Sequence, residues 1–271
     1  MSFLNRTLNQ SEERCPEKTS IIQNNKKLEK LAAVIAALAI WQICASAIGN
    51  SLLLAAPLVV AQNLLQLCIS LEFWSTILFT LARIVTGFLM ALAVGIIFAV
   101  AAGRFRIVEI LLQPYIIAIK STPVASFIVL FLIWISSKSL SVFISFLMVL
   151  PIVYTNVLQG IKSTDGKLLE MADLFRVKWW RRLHYIYVPQ LRPYLISACS
   201  LSIGMSWKAG VAAELIGIPE GSIGEKLYEA KIYLSSSDLF AWTVAIIVIS
   251  ILFEKLFIYL LKAFFRLWVK S

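Results

Sequence analysis

Residues 72–102 read EFWSTILFTLARIVTGFLMALAVGIIFAVAA, a run in which only Glu72 and Arg83 carry charge. As an α-helix, about 30 residues extend about 45 Å, whereas about 20 apolar residues cross a hydrocarbon core of about 30 Å. The run is therefore a membrane span with length to spare. Its outer part, Arg83 included, is expected in the headgroups or against protein. Working outward, further apolar runs lie at Leu31–Gly49, Leu112–Ile135, Leu140–Gln159, Leu191–Ile216 and Leu239–Phe264. The fold expected is an all-α polytopic membrane protein with six transmembrane helices. Leu52–Ser70 reads as an interfacial helix, because Gln62, Asn63 and Gln66 share one face.

The whole chain agrees with this reading: of 271 residues, 60% are hydrophobic and 15% charged, outside the range of a soluble domain. The net charge of +10 sits in short loops and not on a basic domain face, which excludes nucleic acid as a partner. Lysine and arginine sort by side. The tail, Arg104, Arg106, the 161–192 segment, Lys262, Arg266 and Lys270 fall on one side; Lys138, Lys226 and Lys231 fall on the other. By the positive-inside rule both termini are cytoplasmic.

Residues 1–29 are polar and mixed in charge, and a mobile cytoplasmic tail is expected there, followed by a permease domain over 30–271. Ala45-Ser46-Ala47 resembles a cleavage site, but the polar stretch before the first span is long for a signal peptide, so an uncleaved span is expected. Cys15, Cys44, Cys68 and Cys199 form no C-x-x-C pair and read as reduced packing residues. His184 is the only histidine, so no metal site is expected.

Two loops are long: 161–190 on the basic side and 217–238 on the other, and long loops carry function. In the first, Asp165 can cap a helix in which Leu168, Met171, Leu174 and Phe175 fall at i, i+3, i+6 and i+7. That gives an apolar face on a helix outside the bilayer, and such a face requires a partner. The second half of the loop, with Trp179, Trp180, Arg181 and Arg182, has the composition of an interface anchor.

The segment Leu168–Pro189 resembles the EAA loop of ABC importer permeases: Glu-Ala-Ala, three residues, Gly, nine residues, Ile-x-Leu-Pro. Glu170, Ala172, Ile186 and Pro189 match in register, with Met171 for the first Ala and Val188 for Leu. The main departure is Arg176, where the family has Gly. Arg83 with Gly87, Pro114 with Lys120 and Pro123, and Trp207-Lys208 with Ala212-Ala213-Glu214-Leu215 resemble the branch that takes up nitrate, taurine and alkanesulfonates. The likeness spans about residues 52–265.

The resemblance implies a permease of an importer in the bacterial inner membrane, with a coupling helix between the fourth and fifth spans. It implies that residues 166–177 dock on a cytoplasmic ABC ATPase dimer through Leu168, Glu170, Met171, Ala172, Leu174, Phe175 and Arg176, with Pro189 ending the motif. It further implies a second permease copy, an extracellular or periplasmic substrate-binding protein, and a small anionic or polar solute.

Charges within spans are costly and mark function by default. Lys120, Lys208 and Glu214 are therefore candidate pathway residues, with snorkelling or interhelical pairing as their bland alternative. Lys208 and Glu214 point about 240° apart on one helix and are not expected to pair. Glu254 and Lys255 read as packing charges near a span end. The chain contains no phosphate-cradling G-x-x-x-x-G-K-[ST] loop, no Ser-His-acid set and no H-E-x-x-H. It is expected to be non-catalytic and without a cofactor, ATP being bound by the partner. An ion- or proton-coupled secondary transporter is the rival reading; no convincing inverted repeat is seen, and the midplane carboxylates and broken helices it needs are not expected here. A membrane scaffold would share the loop helix but need no pathway.

Overall fold

Prolines and short polar turns divide the apolar runs into helices. The computed structural model describes residues 16–50 and 52–270, and these residues are helical apart from short turns. The helices are α1 (Pro16–Ile48), α2 (Pro57–Ile69), α3 (Leu71–Arg104), α4 (Arg106–Ser121), α5 (Val124–Leu132), α6 (Ser137–Lys162), α7 (Gly166–Leu174), α8 (Trp179–Arg182), α9 (Val188–Gly217), α10 (Ile223–Ile232) and α11 (Ser236–Lys270). A π-helical turn, Leu183–Tyr187, joins α8 to α9, so that residues 179–217 run as one helix.

Four of these helices are long and apolar enough to cross a membrane: Leu71–Arg104, Ser137–Lys162, Trp179–Gly217 and Ser236–Leu267. The expected span at Leu112–Ile135 is not one continuous helix. It is a pair of helices, α4 and α5, that meet at 101°. Pro123 has no N–H to donate and pushes the preceding Thr122 into an extended conformation, φ −87° and ψ 132°, which stops α4. The apolar part of α1, Ala32–Ile48, is shorter than the four spans. Helix also covers part of the expected tail. Helix α1 starts at Pro16, a residue suited to a first helical turn, and residues 16–29 extend the helix; residues 1–15 lie outside the described residues.

The core lies where α3, α6 and α9 meet. Without a hydrophobic force between helices in lipid, close packing depends on small residues that let backbones approach. A Cβ on Gly87 would stand 2.3 Å from the Val142 carbonyl oxygen, and one on Gly210 would stand 2.7 Å from both Ile84 Cγ1 and Ser145 Oγ. Ile84, Phe88, Val149, Val153, Ile203 and Trp207 fill the space between these crossings. Helix α11 lays Phe257 edge-on against Phe88, ring centroids 5.0 Å apart. It leaves Ile247, Val248, Ile251 and Leu252 exposed on its outer face. At the end opposite α7, Lys226 on α10 bridges Glu72 at 2.8 Å and Glu229 at 3.2 Å, fixing α10 to the start of α3.

Candidate functional site: a docking helix and a buried carboxylate

Helix α7 starts at Asp165, whose carboxylate accepts a hydrogen bond from the Lys167 N–H at 2.9 Å. Its apolar face is uncovered: Leu168 is 37% exposed, Met171 50%, Leu174 83% and Phe175 77%. Glu170 is exposed beside them, and Ala172 alone is buried. Burying a side chain the size of Leu or Phe is worth about 1.5–3 kcal/mol, so this face has several kcal/mol to gain from a partner.

The helix closes with paired backbone hydrogen bonds. Val177 N–H donates to the Ala172 carbonyl at 2.9 Å, and Arg176 N–H donates to that of Asp173 at 3.0 Å. This is the Schellman pattern, which requires a left-handed residue at the position Arg176 occupies, and Arg176 has φ +47°. The family Gly therefore stands where only Gly escapes the steric cost of that conformation.

Arg182 on α8 makes the second attachment. Its Nε donates to the Val177 carbonyl at 2.8 Å, one Nη to the Ala172 carbonyl at 3.1 Å, and the other Nη lies 2.5 Å from an Asp173 carboxylate oxygen. A guanidinium on the terminal carbonyls opposes the negative end of the helix dipole. Sequence reading placed Arg182 at headgroups and missed this role, since its partners lie five to ten residues away across a turn. Pro189 lies exposed in the first turn of α9.

Glu214, a candidate pathway residue by its charge, lies inside the chain. Its side chain is 0% exposed within the chain, not on an open surface. Thr80 Oγ1 on α3 donates to Glu214 Oε2 at 2.8 Å, and Ser141 Oγ on α6 lies 3.3 Å from Oε1. The Gly224 N–H of α10 and the charge of Arg83 act on the same carboxylate. Thr80 Oγ1 also accepts the Ile223 N–H at 3.0 Å, so four helices converge here. A buried carboxylate persists only if bonded on all sides, and these partners come from positions far apart in sequence. Arg83 stands against protein, its Cζ 3.8 Å from the Phe79 ring centroid.

Lys208 is exposed on α9 and Lys120 near the end of α4. Lys120 Nζ lies 3.4 Å from Thr155 Oγ1, beside the break between α4 and α5. The two lysines and Glu214 do not form one cluster: the lysines lie on the surface of the single chain, and Glu214 lies within it. Among the described residues no group of His, Cys, Asp and Glu could hold a metal ion.

Comparison with known proteins gives this arrangement a family. The profile of the binding-protein-dependent transport system inner membrane component matches residues 91–270. The putative aliphatic sulfonates transport permease SsuC of Bacillus subtilis is 27% identical over 244 residues, covering 89% of this chain and 87% of the relative. The taurine transport system permease TauC of Escherichia coli is 23% identical over 79% of this chain and 80% of its own length. The nitrate import permease NrtB of Synechococcus elongatus is 24% identical over 71% of this chain and 72% of its own length. Among solved structures, an amino acid ABC transporter crystallised with histidines shares the fold, with TM-score 0.54 and 19% identity over 72% of this chain and 92% of that one. The chain belongs to the binding-protein-dependent inner membrane components, as a multi-pass, non-catalytic permease subunit of an ABC importer in the branch of its sulfonate, taurine and nitrate relatives.

Proposed function

We propose that the chain pairs with a second copy to form a translocation pathway, docks a cytoplasmic ATPase through residues 166–177, and receives its solute from an external binding protein. The solute is a small anionic or strongly polar compound such as a sulfonate, taurine or nitrate, by analogy with the named relatives. In this reading the chain has six spans, α1 and the bent α4–α5 pair each counted as one, with both termini and α7 in the cytoplasm and α10 outside; the sorting of lysine and arginine supports it. The observation that carries the reading is α7 itself: a capped, stapled helix with Leu168, Met171, Leu174 and Phe175 uncovered.

Lys120 and Lys208 supply positive charge within the spans and suit an anion, while the Glu214 junction holds the scaffold. The test is co-purification of the tagged chain with its ATPase, followed by substrate-stimulated ATP hydrolysis in the reconstituted complex. Recovery without any P-loop ATPase, with uptake insensitive to ATP depletion and abolished by a proton ionophore, refutes the reading in favour of a secondary transporter.

A further inference from the structure

The ends of three spans meet at a basic cleft. A Cβ on Gly103 of α3 would stand 2.9 Å from Ile161 of α6, so the two helices finish at the same level. Lys162 in the last turn of α6 reaches Glu109 in the first turn of α4 at 2.5 Å, tying the third element to the other two. Between them lies a cleft of about 500 Å³ lined by Arg104, Arg106, Lys162, Glu109 and Gln113, with Ile110 on its apolar wall.

The charges do not cancel. Glu109 is matched by Lys162, while among the described residues neither Arg104 nor Arg106 has a salt-bridge partner. The two arginines flank Phe105, which ends α3 and starts α4 without a side-chain cap; its carbonyl accepts the Val108 N–H at 3.0 Å, which leaves the Arg106 and Ile107 N–H groups as the open ones of the first turn. The surface above the cleft is apolar. On α3, Ile97 is 63% and Val100 50% exposed, and their spacing from Arg104, at i, i+3 and i+7, puts all three on one face.

We propose that this cleft binds the phosphate of an anionic phospholipid, with Arg104 and Arg106 on the headgroup and an acyl chain laid along Val100 and Ile97. Charge complementarity selects this occupant. A phosphodiester answers two unpaired guanidiniums, and its tails answer an apolar stripe that starts at the same residue. A second copy of the chain would present the same arginines and gain nothing from them. The proposal rests on the chain's placement in a membrane and not on the ATPase assignment, so ATPase co-purification can fail while the lipid site stands.

The experiment uses the full-length chain in nanodiscs of phosphatidylcholine mixed with phosphatidylglycerol, with retained lipids counted by native mass spectrometry and thermal stability followed during lipid titration. The wild type should retain phosphatidylglycerol in preference to phosphatidylcholine and be stabilised by it. Arg104→Gln with Arg106→Gln should lower phosphatidylglycerol affinity about tenfold or more, and Arg104→Lys with Arg106→Lys should keep most of it. The wild-type comparison decides the matter alone if the glutamine variant fails to fold: no preference for the anionic lipid overturns the proposal. Equal retention by the glutamine variant overturns it too. Equal stabilisation by inorganic phosphate marks a free-anion site, and loss of the second copy or of the ATPase with unchanged lipid retention marks a protein contact; either result also overturns it.

Discussion

Replacing Arg176 with Gly should strengthen the joint that holds α7. Arg176 sits at φ +47° in the Schellman closure, with its side chain exposed and, among the described residues, no ion pair. A non-Gly residue in the left-handed region costs about 1–2 kcal/mol. The freedom that Gly adds to the open chain returns about 0.4–1 kcal/mol of this. The net gain for closing the turn is therefore about 0.5–1 kcal/mol, or about two- to fivefold in the closing equilibrium. Hydrogen exchange reads it directly at the Arg176 and Val177 amides, which make the two closing bonds. Arg176→Gly should slow exchange at both positions by about that factor and leave substrate-stimulated ATP hydrolysis at or above wild type. Arg176→Ala separates backbone from charge, since it keeps the steric cost and removes the guanidinium. If both variants weaken ATPase association alike, Arg176 acts through its charge on the partner and the backbone reasoning is refuted.

Further outcomes follow from the same geometry. Glu170→Ala or Phe175→Ala should lower ATPase association about tenfold or leave the complex bound but uncoupled, since truncating a docked anchor commonly costs about 1–3 kcal/mol; wild-type assembly and stimulation in both would sink the docking assignment. Arg182→Gln should release α7 from α8 at a cost of about 1–2 kcal/mol, discounted for partial exposure, and exchange at the Val177 amide should rise while thermal stability of the span core stays within a degree or two. Gly224→Ala places a methyl 2.3 Å from Glu214 backbone carbon, where nothing flexible can yield, and should cost about 1–3 kcal/mol of stability in detergent. Glu214→Ala should cost about 3 kcal/mol or more by stranding its buried partners; full assembly at wild-type stability would refute the junction.

The sequence carried the spans and α7 because each is a local signal. Apolar length identified the long helices, and Leu168, Met171, Leu174 and Phe175 announced a face by spacing alone. Asp165 was legible as the start of α7, because capping is written within a few residues, whereas Arg176 stood out only as the place of the family Gly. The break at Thr122-Pro123 was also local, yet hydropathy averages over it and reports a single run. The setting of Glu214 was hidden for the opposite reason. A charge inside a span looks the same in sequence whether it faces a route or a packing site, and Thr80, Ser141 and Gly224 come from three other helices. Arg182 lay between these cases, close in sequence to Ala172, Asp173 and Val177 but visible as their partner only once the turn between α7 and α8 is folded.

The two sites are joined by a single element. Residues 179–217 form one helix of 39 residues, about 58 Å long at 1.5 Å per residue. Arg182 near its start grips the end of α7, and Glu214 near its other end binds α3 and α6 and touches α10. A helix of this length is stiff except where its hydrogen-bond ladder changes, and here the changes are the π turn at Leu183–Tyr187, just past the Arg182 contact, and Pro189 and Pro193, which have no N–H to donate. On the coupling reading, movement of α7 therefore reaches the far side along α9, and not through the α4–α5 pair, which is broken at 101° and cannot carry an axial push. On that reading the buried bonds of Glu214 have a mechanical reason: a rod passes its motion to its neighbours only where it is fastened to them.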